Sequence, residues 1–291
     1  MSVIVERNRY TMGCDVLHAE RQDTAMRRPV LFRTDLAQAA PDLHTRHERI
    51  AAAGFDGVEL DVGVCGGGGT SPLTEQQAQM LEALASSDVR VGALAGRCTT
   101  TDGARALEVV GRLLREAARV RATCLNLTLP PVADASEEVA FNRYRNALNF
   151  AYNLLHHGRH DAEVTGVALA LEAGAGRSLL SPVELREIID AANSWAVGVC
   201  IDVDRIAQIG CPVDWIKTLR QRVHAVRISE GWLGNAAKKT TGQGVASVGA
   251  IAEVLDEIAY DRPIILAAAE IPDGIPARLT QIVTGIAAGT A

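Results

Sequence analysis

Short apolar segments alternate with helix-like segments from residue 30 onward, and this order restricts the folds that the chain can adopt. The strand candidates are 30–34, 58–61, 89–96, 123–129, 167–172, 197–202, 223–229 and 263–269. The helix candidates are 41–53, 74–87, 102–120, 135–157, 181–194, 213–221, 247–258 and 275–288. Parallel strands need a crossover between them, usually a helix, and eight such units can close into a barrel. The alternation therefore predicts an α/β fold, a (β/α)8 TIM barrel, rather than an open sheet.

Length and composition favour a single barrel with a short extension. The chain has 291 residues, of which 48% are hydrophobic and 22% are charged, so it can form the large core of a barrel. Residues 1–28 carry many charges without an apolar period and are expected to form an N-terminal extension, flexible or packed on the surface. Residues 29–291 are expected to form the barrel domain. Deletion of the extension should then change the melting temperature little.

The charge of the chain argues against several classes of partner. A formal net charge of -6 does not suit a phosphate-binding surface, which needs clustered lysines and arginines. The sequence has no apolar run long enough for a membrane span, and its first ten residues lack the apolar core of a signal peptide. Its six cysteines are scattered without a CxxC motif. These features predict small-molecule partners, no nucleic acid, no membrane and a cytoplasmic location, and they leave a homo-oligomer open.

Two apolar runs end in carboxylates, which predicts a site at the C-terminal end of the barrel. Leu169–Glu172 and Val199–Asp202 are strand-like, and active sites of TIM barrels lie where the strands end. If these acids point inward, strand alternation also turns inward the small residues behind them: Ala168, Ala170, Gly198, Cys200 and, behind Arg227, Ala225. Small residues leave room at the mouth, although a tight barrel also needs small interior layers.

Several arginines also fall at predicted strand ends, namely Arg33, Arg97, Arg177, Arg205 and Arg227. Guanidinium groups bind carboxylates and phosphates in a bidentate manner, so an anionic sugar or sugar acid is a possible ligand. The alternative is an internal ion-pair network that closes the barrel top, with Glu59, Glu172, Asp202 and Glu230 as the acids. The sequence leaves both interpretations open.

A set of short motifs gives the chain a family resemblance over residues 30–285. The motifs are Gly54-Phe-Asp-Gly-Val-Glu-Leu60, Leu169-Ala-Leu-Glu172, Val197-Gly-Val-Cys-Ile-Asp202, His224-Ala-Val-Arg-Ile-Ser-Glu230, Gly242-Gln-Gly244 and Tyr260-Asp-Arg-Pro-Ile-Ile-Leu266. In order and spacing the chain resembles the xylose isomerase-like TIM-barrel superfamily, which contains sugar isomerases, epimerases and type-IV AP endonucleases.

The resemblance implies a divalent-metal site that this chain carries only in part. Epimerase-type members hold the ion with a Glu, an Asp, a His and a second Glu from four strand ends. Glu172 and Asp202 match the first two ligands, whereas the His position is Arg227 and the last Glu position is Ala267. A further His position is Arg205. Two carboxylates could still hold Mn, Mg or Zn with water, but a guanidinium between them would compete.

Glu270 is a candidate replacement for the lost ligand. Glu270 lies three residues beyond Ala267, and this odd offset turns its side chain outward unless a bulge intervenes.

Two functional hypotheses follow. In the first, the protein is a divergent sugar or sugar-phosphate isomerase or epimerase. Glu172 and Glu230 would transfer the proton, Arg227 would supply the positive charge of the missing metal, and Glu59, Arg97, Arg177 and Arg205 would bind substrate. In the second, a catalytically degenerate barrel binds an anionic sugar-like ligand or a protein partner. In either case Arg227 is expected to contact Glu172, Asp202 or both. AP endonuclease activity ranks third, because its zinc site needs several histidines.

A glycine run, a histidine cluster and a lysine pair are expected to have structural roles and not to form binding sites. Gly66–Gly69 is expected to be a flexible loop, since no phosphate-binding GK[ST] follows it. His156, His157 and His160 are expected to close a helix and to interact with its dipole rather than to bind a metal. Lys238 and Lys239 are expected to be a solvated pair.

Overall fold

The computed structural model describes residues 27–36, 43–65, 73–130, 137–173, 181–234 and 247–284. Eight parallel strands form a closed barrel in sequence order, and β1 pairs with β8 to complete it. The strands are Val30–Asp35 (β1), Gly57–Cys65 (β2), Val91–Cys98 (β3), Cys124–Thr128 (β4), Ala168–Glu172 (β5), Val197–Asp202 (β6), Val223–Ser229 (β7) and Ile264–Ala267 (β8). The predicted (β/α)8 barrel is confirmed.

Helices surround the barrel in the part of the chain that the structure describes. They are Leu43–Ala52 (α1), Glu75–Ala85 (α2), Gly103–Arg119 (α3), Glu137–Thr165 (α4), Pro182–Ala192 (α5), Val203–Ile209 (α6), Pro212–Leu219 (α7), Glu230–Gly234 (α8), Val248–Glu257 (α9) and Ala277–Thr284 (α10), with a 3-10 turn at Arg220–Arg222. None of these helices is long and apolar enough to cross a membrane.

The structure differs from the sequence-based prediction at three helices. α6 and α8 follow their strands directly, where the sequence analysis placed no helix. α6 forms because the Asp202 carboxylate accepts a hydrogen bond from the backbone N–H of Arg205 and so caps its start. The third difference is that α4 continues to Thr165, so the histidine cluster does not close it. The dipole interaction expected for those histidines is therefore wrong.

The apolar core has two parts. The larger part lies between the strands and the helices, and it includes Phe32, Leu60, Leu94 and Leu171. The smaller part fills the inside of the barrel with Leu31, Ala93, Cys124, Ala168, Ala170, Cys200, Ala225 and Ile265. This confirms the inward direction that strand alternation predicted for the small residues of β5, β6 and β7.

Two glycines meet geometric requirements that other residues would not. Gly54 has a φ of +90° in the turn that leads into β2, a conformation that strains residues with a side chain. A Cβ atom on Gly198 would lie 1.9 Å from Cδ2 of His224 and 2.3 Å from the carbonyl oxygen of Arg222. The start of β6 therefore approaches β7 too closely for any side chain.

Arg28 joins the start of the barrel to its end. Its Nε donates to the carbonyl oxygen of Tyr260 at 2.9 Å, and its other nitrogens bind the carbonyl of Ile282 and the carboxylate of Asp256. Arg28 is 3% exposed. The proposed domain boundary after residue 28 remains a prediction, but the Arg28 side chain itself packs against the barrel.

The two adjacent arginines at this point offer a matched test. Arg28→Ala is expected to lower the free energy of unfolding by about 2–3 kcal/mol, because it leaves buried carbonyl groups without a donor. Arg27→Ala should cost less than about 1 kcal/mol, because Arg27 is exposed and its ion pair with Asp56 spans 3.4 Å at the surface. Urea unfolding of both variants measures the difference. Deletion of residues 1–26 should leave the urea midpoint unchanged, and equal losses for the two arginines would contradict this assignment.

Candidate functional site

Arg227 lies at the centre of a buried ion-pair network at the C-terminal ends of the strands. Its Nε and Nη2 donate to the two carboxylate oxygens of Glu59 at 3.1 and 2.7 Å, and its Nη1 donates to Oε2 of Glu172 at 2.7 Å. The same Nη1 is 3.5 Å from Oδ2 of Asp202. The expected contact of Arg227 with Glu172 and Asp202 is present, and Glu59 is an additional, bidentate partner.

Glu59 is completely buried, and each of its oxygens has a second donor. Asn126 donates from Nδ2 to Oε1 at 2.7 Å, and Arg33 donates from Nη1 to Oε2 at 3.2 Å. Arg33 also pairs with Asp61 at the rim. These contacts satisfy the hydrogen-bonding capacity of a carboxylate that could not otherwise remain charged inside the barrel.

Glu172 and Asp202 lie side by side at the ends of β5 and β6. Oε2 of Glu172 accepts a further hydrogen bond from Oγ1 of Thr128 at 3.0 Å. Nη1 of Arg205 forms an ion pair with Oε1 of Glu172 at 2.8 Å, although the geometry is not that of a hydrogen bond. Oδ2 of Asp202 is 3.7 Å from Nε of Arg205. Arg205 is thus the outer cation of the network, with 40% of its side chain exposed.

Burial and charge act in opposite directions on the three acids. Burial disfavours ionisation of Glu59, but the charges of Arg227 and Arg33 outweigh it and hold the pKa of this carboxyl below its usual value. Burial also disfavours ionisation of Glu172, but the charges of Arg227 and Arg205 outweigh it and lower the pKa of this carboxyl. Burial dominates at Asp202 and raises its pKa, with the nearby charge of Glu172 adding to the rise. Asp202 is therefore the one acid of the three whose ionised form is net disfavoured by its surroundings.

These shifts predict that acid weakens the fold. The folded-state pKa values of Glu59 and Glu172 lie below their unfolded values, so their stabilisation is present above about pH 4.5 and is lost as the pH falls further. Asp202 has the opposite sign and offsets part of the loss. The urea midpoint should therefore decrease from pH 5 to about pH 3. Glu59→Gln should flatten this decrease, whereas Glu253→Gln, at an exposed site on α9, should leave it unchanged.

The structure places the other predicted residues as follows. Glu230 begins α8 with an exposed side chain, and none of the hydrogen bonds and ion pairs found in the described ranges links it to Glu172. Arg97 is exposed near the end of β3. Glu270 is exposed in the bend after β8, and Ala267 lies on β8 opposite Ser229. Arg177, Lys238, Lys239 and Gly66–Gly69 lie outside the described residues.

Two residues that the sequence analysis did not single out complete the network. Asn126 and Thr128 alternate with leucines on β4, so they share the inward face with Cys124. The signal was visible in the sequence, since polar residues at every second position of an apolar strand predict an interior polar site. Within the described residues, no three His, Cys, Asp or Glu side chains are grouped as ligands for a metal ion.

Comparisons with known proteins agree with this architecture. The family profile described as "Xylose isomerase-like TIM barrel" matches residues 48–283. No curated protein sequence matches the chain.

Three solved structures illustrate the similarity of the fold. An L-ribulose 3-epimerase has a TM-score of 0.59 at 16% identity, with 91% of this chain and 89% of that chain covered. A D-allulose 3-epimerase from Methylomonas sp., solved in complex with D-allulose, has a TM-score of 0.57 at 16% identity, with coverages of 87% and 89%. The IolI protein, solved with a bound zinc atom, has a TM-score of 0.54 at 15% identity, with coverages of 87% and 94%. The barrel order and the family match together show that the chain belongs to the xylose isomerase-like TIM-barrel family.

Proposed function

We propose that the protein binds a sugar or sugar derivative at the barrel mouth, in a site where the Arg227 guanidinium takes the place of a divalent metal ion. The observation that carries this proposal is the position of Arg227, which is 3% exposed and bridges Glu59 and Glu172. The structural relatives support a sugar as the ligand, since two are named as sugar epimerases and one holds D-allulose.

The residues at the mouth do not fit a divalent ion. Glu172 and Asp202 are the two retained acids, and Nη1 of Arg227 is 2.7 Å from one and 3.5 Å from the other. An ion shared by the two carboxylates would lie against this guanidinium, and two like charges at such a distance repel strongly in a buried site. The remaining family positions are Arg227 and Ala267, which cannot act as ligands. Arg227 therefore neutralises the acids in place of a metal.

Isomerase or epimerase activity is a second candidate, and the position of Asp202 beside Glu172 at the mouth favours it. Removal of a proton from a carbon next to a carbonyl requires a base whose pKa is near the working pH. Burial raises the pKa of Asp202, whereas arginines lower that of Glu172. The Asp202 carboxylate also lies farther from the two arginines, at 3.5 and 3.7 Å, than that of Glu172, at 2.7 and 2.8 Å, so Asp202 is the candidate base. Glu230 is an exposed alternative at the start of α8. In this candidate the charge of Arg227 and Arg205 would stabilise the developing enediolate.

Calorimetry with D-allulose, L-ribulose and their phosphates tests the binding proposal. We expect saturable heats that are the same with and without a chelator, and metal analysis should find no stoichiometric divalent ion. Loss of sugar binding on chelation would refute the replacement by Arg227. Solvent deuterium exchange into the bound sugar, measured by NMR, tests the catalytic candidate separately. Exchange should disappear in Asp202→Asn while sugar binding persists.

A further inference from the structure

A cavity of about 440 Å³ opens on the N-terminal face of the barrel, opposite the mouth. It lies between the end of α5, the 3-10 turn and the starts of β6 and β7. Such a volume is typical of sites for small molecules. The proposed sugar site does not involve this cavity, so the two can be tested independently.

Trp195 gives this cavity an exposed aromatic surface. It is 65% exposed, whereas the other two tryptophans, Trp215 and Trp232, are each 4% exposed. The turn that carries it is held on both sides: Asn193 ends α5 in the left-handed conformation, and Oγ of Ser194 donates to Glu163 at 2.5 Å and accepts from the N–H of Ala196 at 3.1 Å. A large aromatic ring presented by a fixed turn at a cavity is suited to stacking.

Arg262 gives the cavity a cation that is held in position. Its Nη1 donates to the carbonyl oxygens of Gln221 and Val223 at 3.2 and 3.0 Å and lies 2.6 Å from Nδ1 of His224. Burial, together with the charge of Arg262, lowers the pKa of His224 to about 3. The imidazole is therefore neutral, and its Nδ1 can accept. Nε and Nη2 of Arg262 donate to no protein group among the described residues, so they are free for a ligand.

The charge at the cavity favours an anion. Arg222 pairs through Nε with Asp190 and donates from Nη1 to the carbonyl of Leu219 at 3.4 Å. Its Nη2 donates to no protein acceptor in the described part of the chain. Two guanidinium groups thus line the cavity against the single carboxylate of Asp190, and His224 adds no charge. The surplus positive charge and the unused N–H groups can bind a carboxylate or phosphate.

We propose that this cavity binds a small planar molecule with an anionic group, whose ring stacks on Trp195 and whose anion binds Arg262 and Arg222. Nucleoside monophosphates and aromatic carboxylates share this chemistry. Binding requires both the ring and the anionic group of the ligand, because Trp195 can only stack on a ring and the arginines can only bind an anion.

Quenching of tryptophan fluorescence tests the site, because Trp195 is the exposed fluorophore. Adenosine monophosphate and hydroxybenzoate are titrated separately, with ribose phosphate and adenosine as controls for the anion and the ring. We expect saturable quenching by adenosine monophosphate or hydroxybenzoate with a dissociation constant of about 1 mM or lower. The compound that binds more tightly shows whether the ligand is a nucleoside monophosphate or an aromatic carboxylate. Each control should bind at least about tenfold more weakly.

Variants separate this site from nonspecific quenching. Arg262→Gln and Arg222→Gln should each weaken binding about tenfold, and calorimetry of Trp195→Ala should show a similar loss. Trp195→Ala keeps the test valid if Arg262→Gln disturbs the fold. Arg115→Gln, at an exposed site on α3, is the matched control and should bind as the unchanged protein does. Binding that is absent, equally strong for ribose phosphate, or unaffected by Trp195→Ala would overturn the proposal, as would quenching caused by self-association.

Discussion

Replacement of Arg227 by alanine is expected to lower the free energy of unfolding by about 3–5 kcal/mol near neutral pH, because it removes the buried cation that Glu59 and Glu172 share. Glu59 is the most affected, since it is fully buried and Arg227 binds both of its oxygens. Arg33 and Asn126 would remain as its donors, and Arg205 would remain beside Glu172. Urea unfolding at neutral pH measures the loss.

The destabilisation of Arg227→Ala should become smaller as the pH is lowered toward 5. Without Arg227 the pKa values of Glu59 and Glu172 must rise, and their protonation removes the cost of the buried charge. The double change Glu59→Gln with Arg227→Met is the control, because it removes the buried acid and the cation together. It should be more stable than Arg227→Ala. A loss below about 1 kcal/mol for Arg227→Ala would show that the network is not a stabilising centre.

The double change Arg227→His with Ala267→Glu is expected to create a site for Mn²⁺ or Zn²⁺. Both positions lie on the inward face, since Arg227 shares it with Ala225 and Ala267 shares it with Ile265. Together with Glu172 and Asp202, the new side chains would supply four nitrogen and oxygen ligands. Glu59 would keep Arg33 and Asn126. Added metal should then raise stability, by about 2.7 kcal/mol at a hundredfold excess over the dissociation constant.

Metal analysis and thermal unfolding with and without Mn²⁺ measure this gain. Arg227→His alone and Ala267→Glu alone are the controls, and each should bind metal more weakly than the pair because one ligand is missing. Full occupancy by a divalent ion in the unchanged protein would contradict the role assigned to Arg227. That result would show that the mouth is an ordinary metal-dependent site.

The sequence allowed the fold to be predicted because each strand and helix has a local pattern. The inward direction of Glu172, Asp202 and Arg227 followed from the two-residue period of a strand, which the barrel preserves. The contact of Arg227 with Glu172 and Asp202 was expected as well, but the bidentate pairing of Arg227 with Glu59 was harder to predict. Glu59 meets Arg227 across the barrel, 168 positions apart in the sequence, and a register shift of β2 against β3 at Val58 and Glu59 changes the local alignment. Neither effect has a local sequence signal.

Strand alternation also could not predict the side-chain directions of residues that follow directly after a strand. Glu230 follows β7 by one position, but the chain turns into α8 there and the side chain becomes exposed. Arg205 lies in α6, which the sequence analysis did not predict, and the helix directs it back to Glu172. The direction of such side chains depends on whether a helix or a loop follows the strand, and the sequence pattern alone does not determine that.

The junction at Arg28 determines how this protein can be attached to a surface. The backbone N–H of Arg28 donates to the carbonyl oxygen of Val283 at 3.1 Å, so the two ends of the described barrel lie side by side on the N-terminal face. A sensor chip or resin linked near either end would hold the barrel by this face. The mouth with Arg227 would then point toward the solution, whereas the cavity at Trp195 would face the support. Reversing the attachment, through an engineered cysteine at the mouth, would expose the other site.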